Sequence, residues 1–201
     1  NKYGVPLSLF NINQKDQYGI LEIGMDKKGE IDFLSKIIQP DVSVITNINY
    51  AHAKNFKNIK QIALAKSEII NNTKTNGFIV LNADDQFFNL HKKIALKKNL
   101  KILSFSIKRK NSNVKLINVK KIGKKYKAII EINNSKTYFL IANEFQNNIL
   151  NILATLTIMS IFIDISQIDK NIFFDFKTPS GRGDFSKIKF KNKNFNLIDE
   201  S

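Results

Sequence analysis

Two short apolar runs, "VSVIT" at residues 42–46 and "GFIVL" at residues 77–81, decide the fold class of this chain. Both are continuous and rich in β-branched residues, which is typical of strands buried on both faces of a sheet. Between them lies "IKQIALAKSEIINN", residues 59–72, whose apolar residues recur at helical spacing. A strand, a helix and a second strand in succession predict a βαβ unit with parallel strands.

The segments on either side continue this alternation. "YGILEI" at residues 18–23 predicts another buried strand, and a helix at 29–38 is expected to end before Pro40. A helix at 84–98 and a strand at 101–105 follow. The fold class predicted is therefore α/β, with a mostly parallel, doubly wound sheet.

The pattern changes after the fourth strand. Three strand-like segments at 114–119, 126–132 and 137–141 follow one another without a helix, and turn residues separate them. They predict a small antiparallel β excursion within about residues 107–142. A long apolar helix at 147–163 and two more strands, at 185–190 and 195–198, complete the prediction.

Composition limits the class of protein. Of the 201 residues 43% are hydrophobic, which is typical of a globular chain, and there is no cysteine for disulfides or thiolate metal sites. No apolar run reaches membrane-spanning length and no signal-peptide pattern opens the sequence, so a cytoplasmic protein is predicted. The net charge of +15 comes mainly from scattered lysines and indicates a basic surface. A nucleic-acid-binding module is an alternative, but no helix-turn-helix, zinc or RNA-stacking motif supports it.

Three polar residues fall in unexpected places on consecutive units of the predicted sheet. Glu22 interrupts an apolar strand, His52 follows the strand at 42–46, and Lys66 lies on the apolar face of its helix. Ligands of parallel sheets gather at the carboxyl ends of the strands, and a glutamate with an imidazole suits a hard divalent cation. Each residue also has an ordinary interpretation: Glu22 paired with a lysine, His52 in a loop or core, and Lys66 extending its ammonium to water.

Several motifs occur in an order that resembles the Mur ligases, and most of all the branch that adds D-alanyl-D-alanine to UDP-N-acetylmuramoyl tripeptide. They are "NKYGVPLSL", "LEIGMDKKGEID", "PDVSVITNINYAHAKNF", "IALAKSEII", "VLNADD", "NNILNILA", "SGRGD" and "LIDES". The resemblance implies that residues 1–201 form the central ATP-binding domain of such a ligase, with a fold like that of P-loop NTPases. It also implies truncation at both ends, since the chain contains no G-x-x-x-x-G-K-[ST] loop.

The resemblance also implies roles for individual residues. Lys66 matches a lysine that carbon dioxide carbamylates in this family, and the resulting anion binds Mg²⁺ together with groups that Glu22 and His52 match. Further matches concern ATP: Asn82 near the adenine, Asn148 and Asn151 at the start of an ATP-binding helix, Arg182 at the phosphates, and the pair Asp199 and Glu200, whose second member holds the ribose. Without the resemblance, the ordinary interpretations are a strand-end turn for Asn82, a helix cap for Asn148 and a surface turn for Arg182.

Two departures from the family pattern concern the ATP-binding helix start. The family often has histidine where this chain has Asn147, and glycine where it has Phe145.

The function implied is that of an ATP-dependent amide ligase working through an acyl phosphate in peptidoglycan precursor synthesis, with ATP and Mg²⁺ as cofactors. Within the family, the diamino-acid-adding enzyme and folylpolyglutamate synthase remain alternatives. The protein is expected to be a cytoplasmic monomer that binds no nucleic acid and does not enter the membrane. Without its phosphate loop, the segment alone is expected to be inactive.

Overall fold

The computed structural model describes residues 3–50, 55–123, 125–176, 184–190 and 193–199, the last two ranges as backbone only. The helices are α1 (Gly4–Phe10), α2 (Glu30–Ile38), α3 (Ile59–Lys66), α4 (Glu68–Asn72), α5 (Phe88–Lys97) and α6 (Gln146–Met159). The strands are β1 (Val42–Ile45), β2 (Phe78–Asn82), β3 (Lys101–Ser106), β4 (Val114–Ile122), β5 (Lys125–Ile132), β6 (Ser135–Ile141), β7 (Asp184–Phe190) and β8 (Lys193–Asp199).

Six strands form the central sheet in the order β1-β2-β3-β4-β5-β6. The first four are parallel to one another, and the register pairs Val44 with Val80 and Leu81 with Ser104. Strands β4, β5 and β6 then pair antiparallel. The mostly parallel α/β sheet and its antiparallel excursion are therefore confirmed.

The turns of the excursion fall where turn residues predicted them. Gly123 ends β4 with φ of +60°, and Asn133 and Asn134 join β5 to β6 with φ of +47° and +70°. Asparagine tolerates this left-handed region better than most residues, which makes a two-residue hairpin turn accessible here.

Helices cover both faces of the sheet, so each face has its own core. On one face α6 packs Leu153 and Leu156, both fully buried, against Phe105 of β3. On the other face α3, α4 and α5 bury Ile62, Ile70 and Ala95 against β1 and β2. Burial of both faces explains why these strands are continuous apolar runs.

The helix predicted at 59–72 is divided at Ser67 into α3 and α4. The Ser67 hydroxyl donates to the Leu64 carbonyl at 2.6 Å, and a serine that bonds back in this way competes with the regular helical pattern. Asn58 caps α3 by accepting from the Gln61 amide at 3.0 Å. The predicted helix at 84–98 begins later, at Phe88, because a turn occupies the residues before it.

The strand predicted at 18–23 is wrong. These residues have no regular secondary structure, Ile20 is 96% exposed and Tyr18 is 58% exposed. A strand needs hydrogen bonds to a neighbour and burial of its apolar side chains, and among the described residues β1 is the edge of the sheet. The apolar pattern alone could not supply the neighbour.

Three further elements, α1, β7 and β8, belong to the fold. Helix α1 was not predicted from the sequence, and β7 and β8 form a separate antiparallel pair close to the predicted positions. None of the helices formed by the described residues is long and apolar enough to cross a membrane.

Candidate active site at the carboxyl end of the sheet

The turn that follows β2, "NADD" at residues 82–85, organises the carboxyl end of the sheet. Asp84 accepts from the Ile107 amide at 2.7 Å and from the Ser106 hydroxyl at 2.7 Å, so it holds the loop after β3. Asp85 accepts from the Ile48 amide at 2.8 Å and so holds the loop after β1. Two adjacent carboxylates thus tie the central strand to the loops on both sides.

Lys66, the last residue of α3, reaches this same region. It is half-buried, and its Nζ donates to the Asn47 carbonyl oxygen at 3.0 Å. Burial lowers the pKa of the Lys66 amine, while the negative charge of Asp85 acts in the opposite direction. Burial therefore favours the neutral amine, as the apolar face of the helix led us to expect.

His91 of α5 is 2% exposed and lies near enough to Lys66 for their charges to interact. Its Nε2 bonds the Ala63 carbonyl at 3.0 Å, and because a carbonyl only accepts, Nε2 carries the proton. Burial lowers the pKa of His91 below its ordinary value, so the ring is held neutral. His91 thereby ties α5 to the helix that carries Lys66.

Glu68, the first residue of α4, connects the helix that directly follows Lys66 to α2. Both of its carboxylate oxygens lie 3.0 Å from the Gly29 amide, and one also accepts from the Asp32 amide at 3.1 Å. These amides belong to the first turn of α2, where unpaired donors and the helix dipole favour an anion. Gly29 has φ of +92°, which favours glycine at this helix start.

The three predicted metal ligands have different outcomes. Lys66 is placed as described above. Glu22 is exposed and lies in the irregular segment before α2, so the prediction that it interrupts a buried strand is wrong. His52 follows β1 but falls outside the described residues.

Among the predicted ATP contacts, Asn82 ends β2 and is 6% exposed. Its side-chain oxygen accepts from the Asp84 amide at 2.9 Å, so this oxygen shapes the strand-end turn. Asn148 is 8% exposed and donates to the Asn143 side chain at 2.8 Å. The helix-cap interpretation of Asn148 is wrong, since Phe145 is the cap residue of α6 and no side chain caps it.

The other predicted ATP contacts are less defined. Asn151 is an exposed residue of α6. Arg182 and Glu200 lie outside the described residues, and Asp199 ends β8. By topology, β6 runs in the same direction as β1 to β4, so α6 begins at the end of the sheet that also carries Asn82 and Lys66.

The predicted donor types suit Mg²⁺, and of the three predicted ligands the structure describes Lys66 and Glu22. Within the described residues, no three histidine, aspartate or glutamate side chains form a group that could hold a metal ion. A half-buried lysine whose pKa is lowered fits the precursor of a carbamate, and carbamate, carboxylate and imidazole are ligands that a hard cation accepts. The residues present therefore fit the implied metal in chemistry.

Sequence reasoning missed the residues that hold this site together, namely Asp85, Glu68 and His91. The adjacent carboxylates of "NADD" at a strand end were a usable signal, because buried strand ends need acceptors for their loop amides. His91 and Glu68 gave no such signal, since each could equally have faced water.

Comparisons with known proteins agree with this architecture. Residues 1–159 match the model of the Mur ligase middle domain. The UDP-N-acetylmuramoyl-tripeptide–D-alanyl-D-alanine ligase of Rickettsia prowazekii is 32% identical over 195 residues, covering 94% of this chain and 42% of that protein.

Two solved structures share the fold along nearly the whole chain. MurF from Acinetobacter baumannii has a TM-score of 0.82 and 25% identity, covering 98% of this chain and 42% of that one. MurF ligase from Thermotoga maritima, solved in complex with ADP, has a TM-score of 0.77 and 26% identity, covering 99% and 44%. The chain thus spans less than half the length of these proteins, and it belongs to the Mur ligase family through its match to the middle domain.

Proposed function

We propose that this chain is the central ATP-binding domain, residues 1–201, of a ligase that adds D-alanyl-D-alanine to UDP-N-acetylmuramoyl tripeptide. The observation that carries the proposal is a half-buried lysine at the carboxyl end of a parallel sheet, in a chain of the Mur ligase family. The names of its relatives support the dipeptide-adding branch. The protein is further proposed to work as a cytoplasmic monomer.

ATP is proposed to bind at the carboxyl edge of the sheet. The position of Asn82 at the end of β2 supports this, as does the complex of a related ligase with ADP. Asn148, Asn151, Arg182 and Glu200 are the other proposed contacts. Ligands of open α/β sheets gather at this edge because loops and helix starts meet there.

Lys66 is proposed to become a carbamate. Its neutral Nζ attacks the carbon of carbon dioxide, a C–N bond forms as one C=O π bond gives its electrons to oxygen, and the nitrogen loses a proton to water. Burial supports this step, because it raises the fraction of neutral amine at a given pH. The product is an anion, whereas the ammonium would repel a metal ion and a phosphate-bound cation alike.

Lys66, Glu22 and His52 are the residues proposed to hold Mg²⁺, which when bound would offset negative charge on the transferring phosphoryl group. The chain's own residues have positioning roles: Glu68 ties α2 to α4, which directly follows Lys66, and Asp85 ties the loop after β1 to the end of β2. Positioning supplies much of the rate in phosphoryl transfer, since the protein does little covalent chemistry in it.

The proposed reaction has two steps. The terminal carboxylate of the tripeptide attacks the γ-phosphorus of ATP, giving an acyl phosphate and ADP. The amine of D-alanyl-D-alanine then attacks the acyl carbon, an amide bond forms and phosphate leaves with the bonding electrons.

The test measures phosphate release by the full-length protein. Release from ATP is expected only when UDP-N-acetylmuramoyl tripeptide and D-alanyl-D-alanine are both present. Turnover with a free diamino acid and the shorter dipeptide acceptor would instead assign the protein to the neighbouring ligase. Salt-sensitive binding to random DNA without nucleotide hydrolysis would overturn the ligase assignment altogether.

A further inference from the structure

One peptide group, between Asn47 and Ile48, is held at both ends. Its carbonyl oxygen accepts from Lys66 Nζ at 3.0 Å, and its amide donates to Asp85 at 2.8 Å. Ile48 is 4% exposed, so water cannot readily replace the carboxylate at this amide. Because a peptide group is planar, fixing its amide also fixes the direction of its carbonyl.

The other oxygen of Asp85 accepts from the Phe87 amide at 2.8 Å, which anchors the carboxylate in the turn before α5. Asp85 is therefore a bridge between a rigid turn at the centre of the sheet and the loop after β1. Hydrogen bonds in such a chain polarise one another, so the bond to Lys66 is strengthened by the bond from Ile48 to Asp85.

We propose that Asp85 is a positioning residue for the reactive lysine: it orients the Asn47–Ile48 peptide group so that the Asn47 carbonyl holds Lys66 Nζ at the site. This inference rests on the proposed function, because it assigns Asp85 to the Lys66 carbamate. After carbamylation the nitrogen keeps one hydrogen, which the same carbonyl can accept.

Asp84 provides a matched control. It is in the same turn, has the same charge and also accepts from a backbone amide, that of Ile107 at 2.7 Å. Its loop, however, follows β3 and makes no contact with Lys66 that the structure records. Replacing Asp84 removes its bonds from the Ile107 and Lys108 amides and the Ser106 hydroxyl, all on the opposite side of the strand.

The experiment compares Asp85→Ala, Asp85→Asn and Asp84→Ala in the full-length ligase. Amide hydrogen exchange at Ile48 should accelerate on the order of 10- to 100-fold in Asp85→Ala, and exchange at Ile107 should do so only in Asp84→Ala. The NMR signal of the Lys66 carbamate, recorded after ¹³C-bicarbonate is added, should become weaker in Asp85→Ala only. In that variant kcat should fall while the KM for ATP stays near the wild-type value.

Asp85→Asn keeps one side-chain oxygen that can accept from Ile48 but loses the bond from Phe87, so it should restore part of the carbamate signal and of kcat. Wild-type levels of both in Asp85→Ala, or equal losses in Asp84→Ala, would overturn the positioning role. Either of these two outcomes would overturn the role of Asp85 without contradicting the proposed function. Absence of the carbamate signal from the wild type would instead overturn the Lys66 assignment, and this inference with it.

Discussion

Removal of the Glu68 carboxylate should loosen α2 from α4, the helix that directly follows Lys66. Glu68 lies two residues beyond Lys66 and binds the first turn of α2 through the amides of Gly29 and Asp32. The Glu68→Ala substitution removes every one of these bonds. Alanine suits a helix, so α4 itself should persist.

The size of the effect follows from the exposure of the two amides. The bond to Asp32 is partly buried, and a hydrogen bond to a charged group contributes about 1.5–3 kcal/mol. The bond to Gly29 is exposed, so water largely replaces it. The anion at the helix start adds about 0.3–1 kcal/mol. We therefore expect local opening of α2 to become easier by about 2–4 kcal/mol, which is roughly 30- to 900-fold.

Native-state hydrogen exchange of the full-length ligase measures this opening at the Asp32 amide. Glu68→Gln is the control. It keeps one neutral acceptor, so the free energy of local opening should fall by about half as much as in Glu68→Ala. The Glu68→Ala enzyme should also need more Mg²⁺ for half its maximal rate. Unchanged exchange at Asp32 in Glu68→Ala would refute the bridging role of this carboxylate.

Two further predictions concern stability. Burial lowers the pKa of His91, so at a pH below the ordinary value of 6.5 the unfolded chain binds more protons than the folded one. The free energy of unfolding should therefore decrease as the pH falls below that value. This decrease should be smaller in His91→Gln, as measured by denaturant unfolding at about pH 5 and pH 7.5. Gly77→Ala should destabilise the fold by about 1–3 kcal/mol, because its Cβ would lie 2.7 Å from the backbone oxygens of Asp41 and Lys74. Gly24→Ala, with open space around the added carbon, should leave the unfolding midpoint nearly unchanged.

The sheet was predictable because its strands carry their own signal. β1, β2 and β3 are rich in apolar residues, and the helical spacing between them indicated parallel crossovers. The segment at 18–23 has a similar pattern but forms no strand, since a pairing partner is a property of the tertiary structure. Helix α1 lacked a cap signal, and no side chain caps it in the structure.

The site was predictable only in part. Lys66 was conspicuous because an ammonium on an apolar face is costly, and its burial and lowered pKa agree with that reasoning. The partners of Asp85 and Glu68 could not be predicted, because each binds backbone amides that are distant in sequence. Such partners are set by how loops meet, which residue spacing does not encode.

The central claim is that Lys66 acts as a carbamate, and chemical rescue of Lys66→Ala in the full-length ligase tests it most directly. The substitution should abolish most activity and leave the fold intact, since alanine suits both the end of α3 and its apolar surroundings. Acetate or formate should then restore part of the lost rate, because a small carboxylate can occupy the place of the carbamate. Rescue by small amines but not by carboxylates would show that Lys66 works as a cation, which would contradict the account.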